Sequence, residues 1–106
     1  MAVNVIYLLR NRRTPKLYES GVRYQRERGG KEVWLTIPQV LRAGFGDCED
    51  LAAWRTAELI VGGVPAKAEV IRTGPRVFHA VVRLPDGQIL DPSIKLGMKR
   101  PRKRKR

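Results

Sequence analysis

Gly46-Asp47-Cys48-Glu49-Asp50-Leu51-Ala52-Ala53-Trp54 is the stretch around which the rest of this chain can be read. A glycine turn runs into a helix whose first turn holds the only cysteine of the protein. Asp47 is placed to accept a hydrogen bond as N-cap, Asp50 stands three residues on as a short capping-box partner, and both acids suit the positive end of a helix dipole. Leu51, Ala52, Arg55, Glu58 and Leu59 recur at helical spacing, and Ala53 and Ala57 favour the helix. Gly62-Gly63 supplies a left-handed stop with Pro65 beyond it, so the expected helix begins at Cys48 and runs about 14 residues.

Cysteine at that position has a chemical meaning. Unpaired N–H groups at a helix start stabilise a thiolate, and such sites lower a cysteine pKa from about 8.5 towards roughly 3.5 to 7.5. Glu49 and Asp50 oppose that shift by like-charge repulsion, so the helix alone does not activate Cys48 and a cationic partner is required.

Composition narrows the setting. One cysteine excludes an internal disulfide, and with a single histidine it argues against a tetrahedral zinc site, so no metal or cofactor is expected. No apolar stretch approaches the ~20 residues of a membrane span, and Met1 to Leu9 is short and wrongly flanked for a signal peptide, which gives a reducing cytoplasm as the expected location. The 106 residues suit one domain with a modest core. Of the formal charge of +12, seven units lie in Lys99, Arg100, Arg102, Lys103, Arg104, Lys105 and Arg106, leaving about +5 for residues 1–98. Apart from Pro101 nothing in that tail can pack, and residues 99–106 are expected to be a disordered polycation beyond a domain spanning 1–98.

Along the chain, Val3 to Leu9 is an apolar, β-branched run suited to a short strand or to a segment laid against the core. From Pro15, the residues Leu17, Tyr18, Val22 and Tyr24 or Gln25 fit helical spacing despite Gly21, predicting a helix that ends at Gly29-Gly30. Lys31 to Leu41, cut by Pro38, reads as loop plus a helical turn that covers the site. After the cysteine helix the period changes to two: residues 65–73, 77–84 and 88–91 form an antiparallel meander. Pro85-Asp86-Gly87 fits a three-residue loop, a type I turn with glycine in the left-handed position. If Leu84 pairs with Gln88, His79 faces Ser93 and Val81 faces Asp91, so His79 and Asp91 become diagonal neighbours on one face, roughly 7 Å apart at the backbone. A two-residue loop would put them on opposite faces.

Cys48, His79 and Asp91 are the residue types that thiol acyl chemistry needs. The thiol must ionise to attack a carbonyl, imidazole takes and later donates the proton, and a carboxylate fixes the imidazole tautomer. Each taken singly has a plainer role: Cys48 as a small packing residue, His79 as an ordinary strand residue, Asp91 before Pro92 as a turn initiator.

The strings Gly46-Asp47-Cys48-Glu49-Asp50-Leu51-Ala52, Phe78-His79-Ala80-Val81-Val82 and Asp86-Gly87-Gln88-Ile89-Leu90-Asp91-Pro92-Ser93 resemble the three core motifs of the transglutaminase-like superfamily, a branch of the papain-like cysteine fold. The likeness is to short, single-domain phage and prophage members and covers roughly residues 17–98. It implies an α+β fold with the nucleophile helix packed on a small antiparallel sheet, Cys48 as nucleophile, His79 as base and acid, and Asp91 as orienting carboxylate. Charged His79 would then be the missing cation. The resemblance also implies a side-chain donor to the oxyanion, for which Trp34 and Gln39 are the candidates, each with a plainer reading as core aromatic or surface loop residue.

The expected function is a peptidase, amidase or acyltransferase that attacks peptide or protein amides through a thioester, without cofactor or metal, in the cytoplasm of a bacterial host or in a virion. The alternative is a non-catalytic papain-like virion or assembly module. A third class is a basic nucleic-acid-binding protein in which the order Cys, His, Asp is accidental. The tail either binds nucleic acid or another polyanion without sequence preference, or serves solubility or targeting.

Overall fold

The computed structural model describes residues 1–26, 35–75 and 77–99. In chain order its elements are α1 (Ala2–Arg10), β1 (Arg23–Tyr24), α2 (Ile37–Ala43), β2 (Phe45–Gly46), α3 (Cys48–Val61), β3 (Lys67–Gly74), β4 (Val77–Arg83), β5 (Ile89–Leu90) and α4 (Pro92–Lys95), with a 3₁₀ turn over Leu17–Glu19. This is an α+β arrangement in which α3 lies between two apolar clusters. On one side Leu51 and Trp54 pack with Leu17, Val22, Ile37, Val40 and Leu96. On the other, Ala52 packs with Ala66, Ala80 and Val82 of the β3–β4 region. Alanines at that contact fill the space between helix and strands with short side chains.

α3 begins at Cys48 and has 14 residues. Asp47 accepts from the Asp50 N–H at 3.0 Å and the Asp50 carboxylate accepts from the Asp47 N–H at 3.2 Å, which closes the capping box. At the other end Gly63, with φ +93°, turns the chain away. The sheet is the meander β3-β4-β5, antiparallel throughout, with Val82 opposite Leu90 and Arg83 opposite Ile89. Leu84 N–H donates to Gln88 O at 2.8 Å, Gly87 N–H donates to Leu84 O at 2.9 Å, and Gly87 has φ +91°. That is the three-residue loop and register expected from Pro85-Asp86-Gly87.

Other expectations need correction. The run Val3 to Leu9 belongs to a helix, not a strand. β-branching weakens helix propensity by only tenths of a kcal/mol per residue, and helical spacing turns Asn4, Tyr7 and Leu8 inward together, with Asn4 Oδ1 accepting the Ile37 N–H at 3.1 Å. The helix expected from Pro15 reduces to the 3₁₀ turn at Leu17–Glu19 and the short β1. Ser20 Oγ donates to Leu17 O and accepts from the Val22 N–H, while Gly21 has φ +83°, so a side-chain turn and a left-handed glycine displace the helix. The end proposed for that helix, Gly29-Gly30, lies outside the described residues. Pro38 does not cut α2; it sits in its first turn, where the missing N–H costs nothing. β5 is shorter than residues 88–91, because Asp91 leaves the sheet to cap α4. A parallel pair, β1 with β2, was not anticipated.

Among the described residues no helix is long and apolar enough to cross a membrane.

Candidate active site

The turn before Cys48 is held by contacts that leave little freedom. Gly46 is buried beneath α2 and α3, and a Cβ there would lie 3.1 Å from Asp50 Cβ, 3.3 Å from Leu51 Cδ2 and 3.4 Å from Val40 Cγ1. Asp50 Oδ1 accepts the Leu35 N–H at 2.9 Å, tying the same turn to the start of α2. Burial pushes the Asp50 carboxyl up to about 7, with the Leu35 N–H opposing and the nearby Asp47 charge adding to it. Two acids are thus packed at the helix start, one of them poised between its charged and neutral forms.

Cys48 is half-buried against Ala52, Ala80 and Val82. Its thiol is pushed above its ordinary value chiefly by burial, with the Ala80 N–H pulling it down, Asp47 and Glu49 pushing it up, and the Glu49 N–H pulling it down. The Ala80 N–H is available for a structural reason. The bond from Leu84 N–H to Gln88 O makes that pair the hydrogen-bonded type, and alternation along antiparallel partners makes Val82–Leu90 the same type. The next such position on β4 is Ala80, whose N–H therefore points to the β5 side. There the chain has already turned into α4, and the vacated edge presents the N–H to the sulfur.

His79 is the neighbouring residue on that strand and is 7 % exposed. Its Nε2–H donates to the Asp91 carboxylate, 2.9 Å from each oxygen. A carboxylate accepts only, so this bond places the proton of a neutral ring on Nε2 and leaves Nδ1 bare. Asp91 is itself held by its second task, accepting the Ile94 N–H at 3.3 Å as N-cap of α4. Main-chain N–H groups of Ala80 and Glu49 act on the thiol, and among the described residues no hydrogen bond joins the sulfur to the His79 ring.

The two oxyanion candidates have different standing. Trp34 lies outside the described residues. Gln39 is exposed and its Oε1 accepts from the Thr36 N–H at 2.8 Å and the Thr36 hydroxyl at 3.1 Å, so its carbonyl caps α2. Of the tail, only Lys99 is described, and it is exposed; Arg100, Arg102, Lys103, Arg104, Lys105 and Arg106 fall outside the described residues.

Tyr24 is a residue that the sequence pattern did not single out. It sits in β1 opposite Gly46, and its phenol lies within electrostatic reach of Cys48, Asp47 and Asp91. A two-residue strand pairing in parallel across more than twenty positions leaves no periodic signal, which is why only coordinates bring it to the site.

An apolar groove of about 660 Å³ is bounded by Val3 of α1, Glu49, Ala53 and Ile60 of α3, Val70 of β3 and Ala80 of β4; Cys48, His79 and Asp91 do not line it. Among the described residues no group of three or more His, Cys, Asp and Glu side chains is gathered as a metal ion would need. No family model, curated protein or solved structure matches the chain.

Proposed function

We propose that this protein is a small cysteine-dependent amide hydrolase or acyltransferase of the transglutaminase-like, papain-like type, with Cys48 as nucleophile, His79 as base and acid, and Asp91 as orienting carboxylate. The observation that carries this reading is the His79–Asp91 pair, both oxygens 2.9 Å from Nε2, next along the strand to Ala80, whose N–H pulls the Cys48 thiol pKa down.

In the proposed reaction the thiol proton passes to His79 Nδ1 as the sulfur approaches the ring, and Asp91 stabilises the imidazolium that results. The thiolate attacks the amide carbon: a C–S bond forms and the carbonyl pair moves onto oxygen. Collapse restores the carbonyl, breaks the C–N bond, and the departing amine takes the proton from His79. Water or an amine then attacks the thioester, losing a proton to His79 and releasing the thiol. The groove beside Glu49 and Ala80 offers room for an apolar part of a peptide substrate. The substrate class is a peptide or protein amide, and the chemistry draws on no metal or cofactor. A bacterial cytoplasm or a virion is the setting we infer from the phage-type motifs.

A second reading has its own support. Burial and two acids push the thiol up, with main-chain N–H groups opposing them, as suits a papain-like module that has lost catalysis and serves assembly.

Alkylation of Cys48 by iodoacetamide from pH 5 to pH 9 separates the two. For an enzyme, the rate should persist well below pH 8, and His79→Ala should cut the rate at pH 6.5 by at least about tenfold, since the ion pair with imidazolium is what lowers a thiol pKa. An unchanged profile in His79→Ala would leave the non-catalytic reading.

A further inference from the structure

We propose that Tyr24 is a catalytic residue of this site, its phenol O–H donating a hydrogen bond to the oxyanion that forms when Cys48 attacks a carbonyl. This inference rests on the acyl-transfer reading above and assigns it a side-chain donor among the described residues.

Position is the first argument. The Tyr24 N–H donates to Leu96 O at 3.0 Å, the Gln25 N–H to Gly46 O at 2.9 Å and the Arg23 N–H to Gly44 O at 3.1 Å. Tyr24 is thereby stitched on one side to the turn that delivers Cys48 and on the other to the segment that follows Asp91. Arg23 tightens the same joint: a Cβ on Gly97 would lie 2.6 Å from its Nη2, and Gly97 has φ +114°, so a glycine there lets the guanidinium pass. These bonds fix the main chain from which the phenol extends, and the phenol lies within electrostatic reach of Cys48 and Asp91.

Chemistry is the second. The main-chain N–H groups of Ala80 and Glu49 act on the sulfur, and their pull weakens once the thiolate charge has moved to the carbonyl oxygen. A donor for that oxygen must come from elsewhere. The Tyr24 hydroxyl has no hydrogen-bond partner among the described residues. Its pKa is raised above 10.0, by burial first and then by the charge of Cys48, with Arg26 opposing and Asp47 and Asp91 adding. It therefore keeps its proton throughout the neutral range, which suits a donor and rules out service as base or nucleophile.

The test separates oxyanion stabilisation from thiol activation. A short peptide aldehyde adds reversibly to a thiolate: the C–S bond forms, the carbonyl pair becomes an oxyanion, and nothing leaves. Alkylation by iodoacetamide displaces iodide and forms no oxyanion. Tyr24→Phe retains the ring and every main-chain bond named above, so the folded chain is expected to persist. Its affinity for the aldehyde should fall about a hundredfold, while its alkylation rate changes by less than about threefold. Undiminished aldehyde affinity, or equal losses in both measurements, overturns the role given to Tyr24 while leaving the triad standing. Absence of any aldehyde adduct with the unsubstituted protein, together with an alkylation profile indifferent to His79→Ala, overturns the acyl-transfer reading and this inference with it.

Discussion

A buried acid beside a helix start is a point of tension, and Asp50 shows how one residue serves two constraints. Its carboxylate ties Asp47 and Leu35 to the first turn of α3 through main-chain N–H bonds, yet burial and the neighbouring Asp47 disfavour its charge. The consequence for stability has a definite sign. A folded-state pKa of about 7 against an ordinary 3.8 means that the folded chain binds this proton more tightly than the unfolded chain. The stabilisation from that proton is complete below about pH 4 and is lost as pH rises through about 7. Asp50→Asn, neutral at every pH, has no such slope. The melting temperature of Asp50→Asn relative to the unsubstituted protein, followed by circular dichroism from pH 4 to pH 8, should therefore rise with pH; a flat difference would mean that Asp50 is ionised throughout.

At the scale of elements, α3 is secured to the segment before β1 by a polar contact inside the apolar core. Glu58 is 7 % exposed, and its Oε2 accepts the Leu17 N–H at 2.6 Å and the indole N–H of Trp54 at 3.0 Å, while its Oε1 pairs with Arg55 at 3.0 Å. The Arg55 guanidinium and the Lys95 ammonium flank the Tyr18 ring at 5.1 and 4.8 Å, which gathers the 3₁₀ turn, α3 and α4 around one side chain. Removing the Glu58 carboxylate strands two buried donors, and each unsatisfied group costs about 1 to 3 kcal/mol. Glu58→Ala should lower the unfolding free energy measured in urea by about 3 kcal/mol. Glu58→Gln, whose carbonyl can still accept from both donors, should lose less than half of that. The hairpin shows the converse, an element legible in advance: a glycine three residues after Leu84 specified the loop, the loop specified the register, and the register brought His79 to Asp91.

For the whole molecule, charge and apolar surface are distributed unevenly. Val70, Val77 and Phe78 on β3 and β4 are exposed, and the apolar groove reaches the same sheet at Val70 and Ala80, whereas the formal +12 is concentrated at the C-terminal end. If residues 99–106 act as a polyanion anchor, their deletion should abolish salt-sensitive retention on heparin, since each phosphate-like contact adds to the salt dependence; retention that survives would move the binding surface to the folded body. What the sequence by itself determined were the features encoded within a few residues: the Asp47 cap and the length of α3, the Gly87 loop and its register, and through these the pairing of His79 with Asp91. Only the tertiary structure decided that Val3 to Leu9 is helical, that Gly21 ends the turn at Leu17, that Asp91 leaves the sheet to cap α4, and that Tyr24 pairs with Gly46. Caps and tight turns are local, so their chemistry is written in neighbouring letters. A short segment's conformation and its companions are settled by what it packs against, and for α1 and β1 those partners lie tens of residues away along the chain.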